Sequence, residues 1–225
     1  MNYLIGCGGV GSWLAPVECR LVGPNNLTLV DGDTLEEKNL DRQLFTRDDI
    51  GRNKAEALAS LYGCDARPEW YAMGRYELTP DDWLLVVVDN HPARLAALQD
   101  CDSNGCRALF AANETFSAEA FYYQRSWRGT PLDPRVYYPE LLTNHDDDPM
   151  AVAAGCTGAA QTQNPQLASA NFMAAALLLQ LQTIWKFKLK DFGPEAFGFL
   201  PYKLISNLTG MEVFRVKDTN NENQK

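Results

Sequence analysis

Histidine is nearly missing: His91 and His145 are the only two in 225 residues, so a mechanism that needs a histidine pair is poorly served. Cysteine is present at positions 7, 19, 64, 101, 106 and 156, yet no C-x-x-C pair occurs. The nearest approach is "CDSNGC", which separates Cys101 from Cys106 by four residues and reads as a pair of buried thiols at a helix end. The spacing of a four-thiolate zinc site is therefore absent. Basic surplus is lacking too. A net charge of −9 and a pI near 4.7 argue against general affinity for nucleic acid or an anionic membrane, although a local basic pocket stays open. The longest apolar run, "FMAAALLLQLQTIW", is interrupted by Gln180 and Gln182 and falls short of the roughly 20 residues that span a bilayer. It reads as a core helix. No signal-peptide pattern precedes "NYLIGCGG", so reduced thiols and a cytoplasmic location are expected. Internal repeats and linkers are not evident.

With 46% hydrophobic and 22% charged residues, the chain has material for one sizeable core. Apolar runs bounded by turn signals alternate with helical stretches. "NYLI", "LTLV", "WLLVVV" and "ALFAA" read as strands. Helices are expected after Gly11, from about Asn53 to Tyr62, and from Pro92 to about Asp100. This alternation predicts an α/β fold with a mostly parallel sheet covered on both faces. From about Phe121 to Val136 the pattern turns aromatic and alternating ("FYYQRSW"), as in an antiparallel strand. A long crossover loop at about 128–165 then leads to a helix capped by Asn164-Pro165. "YKLISNLTGMEVFRVK" reads as a hairpin around "NLTG". A single domain over 1–217 with a frayed tail at 218–225 is the expectation.

The first strand runs directly into "GCGGVGS", a G-x-G-x-x-G at Gly6, Gly8 and Gly11. Such a turn lets backbone approach a phosphate and aims helix N-terminal amides at it, the loop of a Rossmann-like doubly wound sheet. The second strand ends at Asp31, twenty residues past Gly11, where an acid would accept from ribose hydroxyls. Taken alone, these features suit an NAD-dependent oxidoreductase. The segment after Asp31 does not. "DGDTLEEKNLDRQ" crowds Asp33, Glu36, Glu37, Lys38, Asp41 and Arg42 around Asn39, a charge density that dinucleotide binding does not require.

The order of the glycine loop, D-x-D, N-L-x-R-Q, G-x-x-K ("GRNK") and D-N-x-x-x-R ("DNHPAR") resembles the adenylating superfamily of ThiF, MoeB and the ubiquitin-activating (E1) enzymes. The likeness is dense over residues 3 to about 113 and thinner from Cys156 to the terminal hairpin. The resemblance implies ATP-dependent activation of a C-terminal carboxylate as an acyl-adenylate. It further implies that Gly9 and Gly11 lie against the nucleotide, that Asp31 holds the ribose, and that Asn39 and Arg42 reach the phosphates. Lys54 would be a second cation there, Asp89 would organise Mg2+ and Asn90 would line the pocket, with Asp33 and Gln43 in support. Arg42 offers a planar fork and Lys54 a movable point charge. The partner implied is a ubiquitin-like or sulfur-carrier-like protein, and the assembly a homodimer. Superfamily members with two C-x-x-C pairs carry structural zinc, which is not expected here. Cys156, in "AAGCTGAAQTQNP", stands where ThiF-like proteins have a cysteine of sulfur or acyl transfer. "VYYPELL", that cysteine and the Ala/Leu helix with a Trp look most like the ThiF-like proteins of PRTRC systems.

Plainer readings stand beside these. Arg42 and Lys54 also read as solvated cations, Asp89-Asn90 as a strand-end turn with a helix cap, Cys156 as a small buried thiol, Arg94 as an ion-paired helical residue, and "HDDDP" as a solvated loop. A non-catalytic nucleotide- or partner-binding module is the remaining alternative.

Overall fold

The structure, a computed structural model, describes residues 1–114, 116–142, 167–187, 199–207 and 210–217. Its strands are β1 (Asn2–Ile5), β2 (Leu27–Val30), β3 (Asp65–Arg67), β4 (Trp83–Val86), β5 (Arg107–Asn113), β6 (Ser117–Gln124), β7 (Phe199–Asn207) and β8 (Gly210–Lys217). They form one sheet in the order β3-β2-β1-β4-β5-β6-β7-β8. β3 through β5 run parallel, and β5 to β8 pair antiparallel. This is the Rossmann-like α/β arrangement with antiparallel strands added at the C-terminal end.

The short parallel strands form because their side chains have water on neither face. Every residue of "LTLV" and "WLLV" is buried, with Leu4 of β1 in register between Leu29 and Leu85. The helices α1 (Gly9–Val22), α2 (Lys54–Tyr62) and α3 (His91–Asn104) connect them. Asn53 caps α2 by accepting from Glu56 N at 3.1 Å, and Asn90 caps α3 by accepting from Ala93 N at 2.9 Å. Gly63 and Gly105 end these helices in the left-handed region, at φ 75° each.

Two further helices complete the chain, α4 (Pro134–Tyr137) and α5 (Ala168–Phe187), among the described residues. The alternation of β6 shows which helix covers which face. Tyr122 stacks on Trp185 of α5, ring centroids 3.8 Å apart, whereas the neighbouring Tyr123 donates its hydroxyl hydrogen bond to Asp102 of α3 at 2.5 Å. α5 and α3 therefore lie on opposite faces.

Three polar knots tie these layers. Arg135 of α4 spans Asp133 and Asp102, donating from Nε to Asp133 Oδ1 at 2.9 Å and from Nη1 to Asp102 Oδ2 at 2.7 Å. Buried Glu18 of α1 accepts from Asn2 and, at 3.0 Å, from Gln182 of α5, while its second oxygen has no donor among the described residues. Burial pushes the Glu18 carboxyl up from its ordinary value, against the pull of those two amides. Asp100 of α3 accepts from Tyr71 Oη at 2.6 Å and from Gly74 N at 2.9 Å.

Several boundaries differ from those the sequence predicts. β4 ends at Val86; Val87 still donates its amide to Ile5 O at 2.9 Å, and Val88 stands against the glycine turn. The strand expected from about Phe121 begins at Ser117 and stops at Gln124; the 3-10 turn Arg125–Trp127 and α4 replace its second half, because Asp133 caps α4 by accepting from Arg135 N at 3.0 Å. β3, short and polar, has no counterpart among the expected strands. The expected Asn164-Pro165 cap and the tail at 218–225 lie outside the described residues.

Candidate functional site

The glycine turn is held tightly from below. Gly6 adopts φ 96° and donates its amide to Val30 O at 2.9 Å, tying the end of β1 to the end of β2. A methyl on Gly11 would stand 2.0 Å from Gly6 O, so helix and strand approach as only glycine permits. α1 then starts at Gly9, behind an N-cap, Gly8, that has no side chain to cap it, and carries no acid in its first turn. Among the described residues no side chain caps its terminal amides, which are donors of the kind that satisfy an anion.

Asp31, buried at the end of β2, braces this turn. Its Oδ2 accepts from Cys7 N at 2.6 Å and its Oδ1 from Asp33 N at 2.8 Å. Burial raises the Asp31 carboxyl, and those two amides partly oppose it. Asn53 donates to Asp31 O at 2.8 Å and Asp33 O at 3.0 Å, so the residue before α2 fixes the D-x-D segment. Next to it, the buried Lys54 ammonium pairs with the Asp33 carboxylate. The two charges named separately by the sequence meet here.

Residues 39–44 lie across the start of α1. Ser12 Oγ accepts from Leu44 N at 2.9 Å, and Trp13 Nε1 donates to Arg42 O at 3.1 Å. Asn171 of α5 donates from Nδ2 to the same carbonyl at 3.1 Å, while its Oδ1, wholly buried, has no donor among the described residues. A methyl on Gly9 would come within 2.9 Å of that oxygen. Gln43 Nε2 stands 3.6 Å from where a Gly8 methyl would be. The Arg42 guanidinium is turned to its own segment, donating to Lys38 O and Asp41 Oδ1 at 3.0 Å each. Asn39 Oδ1 accepts from Glu36 N at 3.0 Å in a capping box, so its carbonyl oxygen serves the loop.

From the other side, Val88 closes on Gly6, whose methyl would meet Val88 Cγ1 at 3.0 Å. Asp89, the next residue, is exposed. Asn90 caps α3, and Arg94 one turn on donates Nε to Val88 O at 3.0 Å. Burial lowers the Arg94 guanidinium from its ordinary value, opposed chiefly by Asp89 and Glu119. Gly9, Gly11, Asp31 and the Asp33–Lys54 pair thus gather at the carboxyl ends of β1 and β2 and Asp89 follows β4, while Arg42 meets α1 through its carbonyl and not its guanidinium, and Cys156 lies outside the described residues. The roles of Asn53, Asn171 and Ser12 are not evident in the sequence. "RNK" ahead of an Ala/Leu helix is an N-cap signal that could have marked Asn53; nothing local marks Asn171.

The described thiols are shielded, and of them only Cys7 stands in the glycine turn. Cys7, Cys19, Cys101 and Cys106 are free and buried, and burial pushes Cys7 far up, while half-buried Cys64 is pushed up to about 11, first by burial and then by Cys19. Among the described residues no cluster of three or more His, Cys, Asp or Glu is arranged to hold a metal, and no helix is long and apolar enough to cross a membrane.

Residues 2–62 match the ThiF family. The chain is similar to the adenylyltransferase and sulfurtransferase MOCS3 of Mus musculus, 30% identical over 175 residues, which covers 70% of this chain and 37% of that protein. It is also similar to the ubiquitin-like modifier-activating enzyme 5 of Drosophila virilis, 33% identical over 122 residues, covering 45% of this chain and 30% of the relative. The chain therefore spans about a third of the length of these curated relatives. Among solved structures, E. coli MccB with ATP superposes with a TM-score of 0.63 at 18% identity, covering 96% of this chain and 63% of that one. PaaA gives 0.63 at 17% identity, covering 96% and 72%. The last two likenesses establish the fold.

Proposed function

We propose that this chain, of the ThiF/MoeB/E1-like superfamily, binds ATP with Mg2+ and activates the C-terminal carboxylate of a small ubiquitin-like or sulfur-carrier-like protein. The observation that carries the reading is the uncapped N-terminus of α1, ringed by Asp31, the Asp33–Lys54 pair and the strip bearing Arg42. A dinucleotide-binding turn has use for the first two; the buried lysine and the overlaid strip supply charge for a triphosphate.

In this reading the amides of Gly9 to Gly11 receive phosphate oxygens and Asp31 accepts from the ribose. Lys54, which needs only to exchange a half-exposed partner for phosphate, neutralises charge on the α-phosphate side. Arg42 joins it by releasing the Asp41 carboxylate, and Asn39 and Asn90 shape the two rims. The carboxylate oxygen attacks the α-phosphorus, the bond to the bridging oxygen breaks, and pyrophosphate leaves with its electron pair. Bound with the nucleotide, Mg2+ would neutralise the phosphates. Exposed Asp89, a hard oxygen donor, is the side chain suited to hold it. Transfer to Cys156, with its thiolate attacking the acyl carbon and AMP departing, is the proposed second step. A symmetric homodimer and a PRTRC-type setting complete the reading.

Pyrophosphate exchange into ATP that depends on a candidate carboxylate protein tests it, alongside calorimetry with ATP and NAD. ATP affinity exceeding NAD affinity, together with exchange, supports adenylation. NAD binding equal to or stronger than ATP binding overturns it, and nucleotide binding without exchange on any carboxylate protein points to a non-catalytic module.

A further inference from the structure

Trp70 stands apart from the other tryptophans. Trp83, Trp127 and Trp185 are buried and Trp13 is half-buried, whereas Trp70 is 65% exposed. Its position is nonetheless fixed. It comes shortly after β3, which pairs in parallel with β2, and Asp31 donates its amide to Arg67 O at 3.2 Å. Both neighbours are pinned: Glu69 accepts from Arg75 at 2.7 Å and from Tyr76 at 2.8 Å, and Tyr71 is held by Asp100. The indole packs directly against Gly32. A methyl there would be 2.6 Å from Trp70 Cδ2, 2.7 Å from Cε2 and 2.8 Å from Cγ, so the ring occupies space that any other residue at position 32 would fill.

The result is an exposed aromatic surface set against the residue that follows the acid ending β2. Leaving so large an apolar ring in water is unfavourable unless something covers it. A nucleotide whose ribose sits on Asp31 has its base within reach of residues at the carboxyl end of the adjacent strand. We infer that Trp70 is the stacking platform for the adenine base, and that Gly32 is glycine so that the indole can reach the ribose-binding carboxylate. This rests on the proposal that the same site binds ATP. Stacking reads planarity rather than the hydrogen-bonding edge of the base, so Trp70 contributes affinity for nucleoside over bare phosphate.

Calorimetry on the full chain with ATP and with inorganic tripolyphosphate, a probe that lacks base and sugar, separates the possibilities. Trp70→Ala should weaken ATP by about tenfold, the scale of one base–aromatic stack, and leave tripolyphosphate unchanged, while Trp70→Phe should restore most of the ATP affinity. Tryptophan emission that ATP quenches in the wild type should be insensitive in Trp70→Phe. Undiminished ATP affinity in Trp70→Ala, or an equal loss for both ligands, overturns the platform while leaving the adenylation reading intact. A wild-type protein that binds no ATP overturns both.

Discussion

The two halves of the sheet use polar groups in opposite ways. In the parallel half the strands are short, four residues in β1, β2 and β4, and their interiors are almost wholly apolar. Polar side chains collect beyond the strand ends, where Asp31, Asp33 and Asp89 stand. In the antiparallel half the strands run to eight and nine residues, and ionised groups sit inside the layers, Arg135 between Asp102 and Asp133 and Lys203 against Glu119. Beside the buried Asp31 and Lys54 the first half holds Asp33 half-exposed and Asp89 exposed beyond its strand ends, whereas the second consumes its charges in holding layers together. α5 joins the two, with Asn171 on the glycine-loop strip, Gln182 on Glu18 and Trp185 donating to Pro201 O at 2.7 Å.

This contrast predicts separable failures. Arg135→Ala leaves two buried carboxylates facing each other and should cost about 3–5 kcal/mol in urea unfolding, with ATP affinity of the folded fraction unchanged. Lys54→Ala should do the reverse. Asp33 is half-exposed and can be hydrated, so the unfolding midpoint should move little, while carboxylate-dependent exchange falls by about a hundredfold, near 2.7 kcal/mol of transition-state stabilisation. A large loss of stability in Lys54→Ala would erase the distinction between the halves.

Asn171→Ala tests the bridge: loss of its bond to Arg42 O should cost about 1 kcal/mol and also weaken ATP binding, coupling what the first two variants keep apart. The smallest effect is expected at Glu18. Its folded carboxyl is raised, so between its unfolded and folded values the native state holds the extra proton, and wild-type stability falls as pH rises above the ordinary glutamate range. Glu18→Gln removes that titration, and its melting temperature should be flatter over the same range.

The parallel half is largely legible in the sequence because it is written locally. Contiguous apolar tetrads, a glycine turn and the Asn90 cap each declare themselves within a few residues. β3 is not, because "DAR" is polar and carries no periodicity, its strand state arising from pairing with β2. The Asp102–Arg135–Asp133 knot and the reach of Asn171 to Arg42 depend on residues 33 and 129 positions apart, which no local pattern encodes. The motif order does bring Asp33 and Lys54 forward, yet only the fold shows that they are each other's partner. Cys156 and the rest of 143–166 lie outside the described residues, so the transfer step rests on sequence resemblance.

The shielding of the thiols has a practical consequence for kinetics. Alkylating and disulfide reagents consume thiolate, and a thiol titrating at about 11 is ionised to only about one part in ten thousand at pH 7. Cys64 is therefore slow, and Cys7, Cys19, Cys101 and Cys106 are sterically closed as well. Native protein exposed briefly to a chromogenic disulfide should therefore release colour only slowly from these five positions, and a fast phase in such a trace has its source in none of them.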